Sequence, residues 1–329
     1  MAIRIAIAVL SALVLALLVI YLVNESYASQ FEYQNMEKWE KRFYTQNFDP
    51  EQKKIFLIGS SHTEKSDTIF IEKSLMEQSY DYEVYNLAYM GSQPATRVSS
   101  IDLIIQTKPD LVVYGLEFLS FWPHPLSGSS QSLETVKQNT ESLLPEPKEL
   151  FSNVTQDWES NFIDFENFKN PKLTTLKIID VIRGEHKFQY QGGKHPFGPY
   201  GPDRVMTYEE LQKNVEEFPF LHFVDNDSKH IDAMKKMIKK FQENNIPVII
   251  FTTPHHELYL KTISEQDKKN YFLIIDSLVK EFGIKHYDFH DRYSDLETWA
   301  NGDHIAGISI GSMAYSEDIV EIIIKEINQ

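Results

Sequence analysis

Ser61 is the residue whose place in the chain most favours chemistry. It lies in the segment Gly-Ser-Ser-His-Thr at 59–63, directly after a short apolar run at 55–58. A serine at a strand-to-helix turn can be exposed at the top of a sheet, where the first N–H groups of the helix point at a developing oxyanion. An ordinary helix cap, for which serine is favoured, is the alternative. The chain has no cysteine, which excludes a thiol nucleophile, so a covalent acyl-enzyme has to use an oxygen.

Alternating apolar runs and periodic segments supply the framework for such a turn. Runs at 55–58, within 82–88, and at 111–114, 247–251 and 284–289 are typical of buried strands, and helical periodicity occurs between several of them. This alternation predicts an α/β fold, a flavodoxin-like three-layer sandwich with a parallel five-stranded sheet. Ligand sites of such sheets lie at the carboxyl ends of the strands, so chemistry is expected just after each strand.

The residues after these strands, together with a motif near the carboxyl terminus, resemble one known family. Ser61 follows the first strand, Gly91 follows the second, and Asn-Gly-Asp-His at 301–304 precedes the last helix. This order resembles the SGNH or GDSL-like hydrolases, and is most similar to their divergent membrane-anchored, acyltransferase-like extracytoplasmic branch. The resemblance implies that Ser61 is the nucleophile and His304 the general base. It also implies that the N–H groups of Ser61 and Gly91 form the oxyanion hole.

Three positions depart from the family's pattern. Ser60 stands where the family has Asp, Glu117 stands where an asparagine donor often follows the third strand, and Asn301 stands where an Asp precedes the histidine by three residues. An ionised Glu117 cannot donate to an oxyanion, so either it points away or the hole has only two donors. Asp303 is the predicted triad acid. A Ser–His dyad, or orientation of the His304 ring by Asn301, are the alternatives.

Other candidate residues have weaker patterns. His255 and His256 follow the fourth strand, and we predict that His256, together with Glu117, contacts the substrate. His62 is expected to support the site rather than to act as its base. Adjacent histidines in an extended segment point opposite ways, and no H-E-x-x-H pattern occurs, so we predict no metal ion and no other cofactor. Gly-Ile-Ser-Ile-Gly at 307–311 fits a G-x-S-x-G nucleophile elbow, but no histidine follows it as that motif requires.

The amino terminus predicts a transmembrane anchor. Residues 5–23 are apolar except for Ser11 and Tyr21, and they would form a helix of roughly 28 Å, close to the thickness of a bilayer core. Arg4 precedes them, and positive charge on the leading side places the rest of the chain on the extracytoplasmic side. A cleaved signal peptide, with a small-x-small site at 26–28, would instead give a secreted protein.

These features divide the chain into an anchor at 1–23, a stalk at 24–52 and an α/β domain at 53–329. The stretch at about 118–229 breaks the strand–helix rhythm. We predict that it is an insertion over the strand ends, either a lid or substrate cap or peripheral packing. Four aromatic residues in it suit carbohydrate recognition, with core packing as the alternative for each: Trp122, Tyr190, Phe197 and Tyr200.

Composition narrows the function further. The chain has 48 acidic and 32 basic residues, a net charge of −16, which argues against a nucleic-acid partner. We expect a serine esterase or O-acyltransferase acting on acyl groups of cell-surface glycans or lipids through an acyl-serine intermediate, with the membrane and the acylated substrate as partners. A catalytically inactive surface or glycan-binding protein of the same fold is the alternative, favoured by Glu117 and Asn301. A separation of Ser61 from His304 far beyond hydrogen-bond reach would count against catalysis.

Overall fold

The computed structural model of the chain shows one sheet of five parallel strands in the order β2-β1-β3-β4-β5. The strands are β1 (Lys54–Ile58), β2 (Glu83–Asn86), β3 (Leu111–Leu116), β4 (Val248–Thr252) and β5 (Lys285–Asp288). β1, β3 and β4 are buried along their whole length, as apolar strands covered on both faces require. The predicted parallel α/β sheet is thus confirmed, and each strand overlaps its predicted run.

The structure describes residues 36–122, 193–198, 203–220, 224 and 228–328, which all fall in one compact unit. The predicted anchor at 1–23, part of the stalk and most of the insertion at 118–229 lie outside the described residues. Within the described ranges, no helix is long and apolar enough to cross a membrane.

Helices pack against both faces of the sheet, because successive residues of a strand point to opposite faces. Ile55 and Leu57 of β1 share an apolar cluster with Ile71 and Ile319, while Phe56 packs on Phe43, with ring centroids 6.2 Å apart. The α-helices among the described residues are α1 (Met36–Tyr44), α2 (Ser61–Glu64), α3 (Thr68–Glu77), α4 (Pro94–Arg97), α5 (Ile101–Gln106), α6 (Tyr208–Glu217), α7 (Lys229–Glu243), α8 (Glu257–Leu260), α9 (Glu265–Phe282) and α10 (Ile310–Ile327). Helix α3 carries Ile71, α10 carries Ile319 and α1 carries Phe43.

Helix α1 lies in the segment predicted as a stalk. Its Trp39 and Phe43 are fully buried, and Phe43 contacts the rings of Phe56 and Tyr85 on the sheet. Burial of large aromatic side chains stabilises the fold, whereas a solvated linker would add nothing to its stability. Helix α1 therefore contributes to the core of the α/β domain, and the boundary at residue 53 stays a prediction.

Two glycines at the strand ends let α2 approach the sheet closely. A Cβ on Gly59 would lie 2.1 Å from Thr63 Oγ1, and a Cβ on Gly115 would lie 2.0 Å from the same atom. A side chain at either position would push α2 away from the ends of β1 and β3. The close approach positions Ser61, the first residue of α2, at the carboxyl edge of the sheet.

Candidate active site

Ser61 and His304 come together at the carboxyl edge of the sheet. Ser60 occupies the N-cap position of α2 without a capping side-chain hydrogen bond, and Ser61 follows as the first helical residue. Ser61 Oγ lies 2.7 Å from His304 Nε2, although 243 residues separate the two in the chain. This is a hydrogen-bonding distance, and the arrangement lets a histidine take the serine proton.

A tight turn at 301–304 holds His304 in place. Asn301 Oδ1 accepts hydrogen bonds from the backbone N–H groups of Asp303 at 3.1 Å and His304 at 2.7 Å. On either side of the turn, Trp299 and Ile305 form an antiparallel bridge. Both residues are buried, so the turn is anchored directly to the core.

Asp303 is the carboxylate beside the His304 ring. Asp303 Oδ1 lies 2.7 Å from His304 Nδ1, whereas Asn301 Oδ1 lies 3.1 Å from that nitrogen and already accepts two backbone N–H groups. Burial would raise the pKa of Asp303, but His304 and His62 hold it well below its usual range. Asp303 is therefore ionised, and it provides the nearer of the two oxygen atoms that can orient the ring.

The predicted oxyanion hole consists of the backbone N–H groups of Gly91 and Ser61. Gly91 has a φ of +71°, a left-handed conformation that favours glycine, and an added Cβ would meet no atom within 4 Å. Tyr89 N donates to Gly59 O at 3.3 Å, so the loop of Gly91 runs beside the turn that carries Ser61. The Ser61 N–H belongs to the first turn of α2, where amides have no acceptor within the helix. The role of the two N–H groups stays a prediction.

Glu117, which stands where a neutral donor is expected, is buried and paired with His62. Only 4% of the residue is exposed, and Glu117 Oε2 lies 3.1 Å from His62 Nδ1. Burial would raise the pKa of Glu117, but His62 outweighs it and lowers that pKa, so the side chain is a carboxylate. Glu117 also caps the 3-10 helix Phe118–Phe121. The carboxylate thus faces His62, and its predicted contact with substrate stays a prediction.

His62 is the residue whose importance sequence reasoning underestimated. Its ring is stacked on that of His304, with centroids 4.2 Å apart and planes inclined by 19°. Its Nε2 lies 3.7 Å from Asp303 Oδ2, an ion-pair distance longer than a hydrogen bond. Burial opposes a charge on His62, but Glu117 and Asp303 outweigh it and raise the pKa of His62 to about 10. The signal in the sequence was Glu117 itself, because a buried carboxylate requires a charged or hydrogen-bonding partner.

The two histidines after β4 have different surroundings. His256 Nδ1 accepts the Leu258 N–H at 3.1 Å and so caps α8. Its predicted contact with substrate stays a prediction. His255 is buried beside His62, with ring centroids 5.0 Å apart, and neither of its nitrogens has a hydrogen-bond partner among the described residues. Burial, and then the charge on His62, lower the pKa of His255 to about 3, so its ring is neutral.

Two of the four aromatic candidates for sugar recognition, Phe197 and Trp122, lie among the described residues. Phe197 is only 1% exposed and lies 6.2 Å from Tyr44 between ring centroids, which is core packing. Trp122 is half-buried after the 3-10 helix. Tyr190 and Tyr200 lie outside the described residues.

Metal ligation is compatible with the spacing of two groups of side chains. Ligand atoms lie within 4.8 Å of one another in the group His62, Glu117 and His255, and in the group His62, Asp303 and His304. In both groups His62 already pairs with a carboxylate, and His304 Nδ1 already contacts Asp303. These contacts explain the placement of the His62 and His304 rings without an ion.

Comparison with known proteins gives only distant likenesses. No family model and no curated protein matches the chain. Among solved structures, an acetyl xylan esterase matches with a TM-score of 0.43 and 13% identity, over 82% of this chain and 99% of the other. A psychrotrophic esterase from Pseudoalteromonas sp. has a TM-score of 0.41 and 9% identity, over 84% and 100%. A GDSL-like lipase from Bacteroides thetaiotaomicron has a TM-score of 0.39 and 10% identity, over 88% and 98%. Likenesses of this size carry no functional argument by themselves, so the proposal below depends on the geometry of the site.

Proposed function

We propose that the protein is a serine esterase or O-acyltransferase whose nucleophile is Ser61. One observation carries the proposal: Ser61 Oγ, the His304 ring and Asp303 Oδ1 form a continuous chain with both contacts at 2.7 Å. A hydroxyl, an imidazole and an ionised carboxylate in this order are the parts that acyl transfer through serine requires. Their place at the carboxyl ends of parallel strands is where such sheets bind ligands.

The acylation step uses each of the three side chains. The Ser61 hydroxyl attacks the carbonyl carbon of an ester as His304 Nε2 takes its proton, and the carbonyl oxygen becomes an oxyanion facing the N–H groups of Ser61 and Gly91. Asp303 stabilises the imidazolium through the Nδ1 proton. Collapse of the tetrahedral intermediate breaks the bond to the alcohol, which leaves with the proton from His304, and the acyl group remains on Ser61.

The second step decides between hydrolysis and transfer. His304 removes a proton from water or from a sugar hydroxyl, which attacks the acyl-Ser61 carbonyl and releases either the free acid or a new ester. Both outcomes need the same residues. Transient-state measurements with p-nitrophenyl acetate distinguish them, because a glycan acceptor that takes the acyl group accelerates breakdown of the acyl-enzyme and yields an acetylated glycan.

The sequence supports an extracytoplasmic substrate. The apolar segment at 5–23, preceded by Arg4, has the length and charge asymmetry of an anchor whose following domain lies outside the cytoplasm. Acyl groups on cell-surface glycans or lipids are the esters available to a site held there. Cell fractionation with protease protection of the intact chain tests this placement, and a protected, cytoplasmic domain would contradict it.

Labelling by a fluorophosphonate probe tests the nucleophile. We expect stoichiometric labelling of the wild type and none of Ser61→Ala. Ser309→Ala is the matched control, because Ser309 is the serine of the G-x-S-x-G match at 307–311 and its Oγ caps α10 by accepting the Ser312 N–H at 3.1 Å. The Ser309→Ala variant should still be labelled, although loss of the helix cap lowers its free energy of unfolding by about 1 kcal/mol. Equal labelling of Ser61→Ala and wild type, or no labelling of a folded wild type, would refute the nucleophile.

A further inference from the structure

A partly buried row of alternating charges lies behind His304. Glu117 Oε2 is 3.1 Å from His62 Nδ1, and His62 Nε2 is 3.7 Å from Asp303 Oδ2. Asp303 uses its other oxygen, Oδ1, to contact His304 Nδ1 at 2.7 Å. The row therefore runs from Glu117 through His62, Asp303 and His304 to the Ser61 hydroxyl.

The charges of the neighbouring carboxylates determine the protonation state of His62. A neutral imidazole between Glu117 and Asp303 would leave the buried carboxylate of Glu117, and the partly buried one of Asp303 beside it, without a cation on this side, which is unfavourable. A second proton on the ring places one positive charge between the two anions and turns both ring nitrogens into donors, Nδ1–H to Glu117 and Nε2–H toward Asp303. Ser60 Oγ, 3.1 Å from Nδ1, can donate or accept and so is compatible with either state.

Two other histidine rings, those of His255 and His304, lie against His62. His255, at the end of β4, has its pKa lowered to about 3 by burial and by the charge on His62. His304, on the loop before α10, presents the flat face of its ring to His62. His62 Nδ1 lies 3.1 Å from Glu117 Oε2, so His62 is the cation that the described contacts provide for that carboxylate.

We propose that His62 is a positioning residue of this site: as an imidazolium paired with Glu117, it holds Asp303 and thereby the ring of His304. Its effect on the reaction depends on the proposed function, whereas its charge can be measured without any substrate. Glu117 occupies the position where the family often has an asparagine donor, and in this proposal its function is to keep His62 protonated. The stacked ring of His62 limits rotation of His304, and Asp303, attracted at Oδ2 by the charge on His62 and in contact with His304 Nδ1 at Oδ1, keeps the Nδ1–H tautomer that leaves Nε2 facing Ser61.

Histidine nitrogen NMR tests the charge directly. In the full chain labelled with ¹⁵N-histidine, we expect an imidazolium resonance at pH 8 that is lost in His62→Gln or, if that variant does not fold, in His62→Asn. In Glu117→Gln the same resonance should become that of a neutral ring at pH 8. A neutral His62 at pH 8 in the wild type would overturn the proposal. So would a stoichiometric divalent metal in the purified protein that disappears in His255→Phe, because a metal ion would then replace the proton as the cation.

Labelling kinetics test the coupling to His304. We expect the rate of fluorophosphonate labelling to fall by about 10- to 100-fold in Glu117→Gln and in His62→Gln, the usual effect of losing a partner that orients a functional side chain. Glu326→Gln is the matched control: it removes one member of a partly buried ion pair, Lys285 Nζ to Glu326 Oε2 at 2.5 Å, away from the site. Its labelling rate should stay within about twofold of the wild type.

The outcomes separate this proposal from the proposed function. Labelling that depends on Ser61 but is unchanged in Glu117→Gln would refute the positioning role and leave the nucleophile intact. An imidazolium at His62 in a protein whose labelling does not depend on Ser61 would support the charged row and refute the esterase.

Discussion

Replacement of Asp303 by asparagine tests which residue orients His304. Asparagine has nearly the same shape as aspartate, so the turn at 301–304 should fold as before while the charge beside His304 Nδ1 is lost. The amide can also present its NH₂ group to that nitrogen and so favour the wrong tautomer. Asn301, the alternative orienting residue, cannot take over, because its Oδ1 already accepts the N–H groups of residues 303 and 304.

The expected loss follows from the distance. Two unit charges 2.7 Å apart interact by about 6 kcal/mol at an effective dielectric constant of about 20. The Asp303 side chain is 25% exposed, so solvent screens part of this energy. We therefore expect the barrier to acylation to rise by about 4–5 kcal/mol, a fall of about 10³–10⁴ in kcat.

Stopped-flow acylation by p-nitrophenyl acetate, with circular dichroism to verify folding, measures this loss. Asn301→Ala is the comparison: it removes an acceptor from two backbone amides, so it should lower the free energy of unfolding by about 1–3 kcal/mol and reduce kcat much less, about tenfold. If Asp303→Asn stays within tenfold of the wild type while Asn301→Ala loses more, Asn301 orients the ring and the assignment of Asp303 is refuted.

Three further predictions concern the framework of the site. Gly115→Ala places a Cβ 2.0 Å from Thr63 Oγ1, so we expect a loss of about 1–3 kcal/mol in urea unfolding and slower labelling of Ser61 as α2 is displaced; unchanged stability would contradict the close approach. Gly91→Ala and Gly283→Ala, with φ of +71° and +66°, should each lose about 1 kcal/mol, but only Gly91→Ala should lower kcat; equal kcat values would remove Gly91 from the oxyanion hole. The flanking carboxylates raise the folded-state pKa of His62 to about 10 against the penalty of burial. The contribution of protonated His62 to the free energy of unfolding is therefore complete below about pH 6.5 and is lost as pH rises toward 10. Urea unfolding across this range should show a decline that His62→Gln flattens, and parallel curves would contradict the shift.

Local patterns were sufficient to predict the framework. Runs such as 55–58 and 111–114 are short, apolar and followed by glycine, and their alternation with helical segments is typical of a parallel sheet covered on both faces. The structure extends β3 to Leu116 and starts β1 at Lys54, differences of one or two residues at the ends. The role of α1 was not predictable in the same way, because amphipathic periodicity identifies a helix but not the surface against which it packs.

For the candidate site, residue type and topology determined that a serine after the first strand and a histidine before the last helix lie at one edge of the sheet. Only the tertiary structure gives the distances that favour Asp303 over Asn301, 2.7 and 3.1 Å from one ring nitrogen, and the orienting role of Asp303 stays a prediction. The pairing of Glu117 with His62 was likewise decided by the tertiary structure. The sequence shows an acid after β3 and a histidine after β1. Only the adjacency of these strands brings the carboxylate and the imidazole to 3.1 Å, and the low dielectric of the interior then favours an ion pair between them.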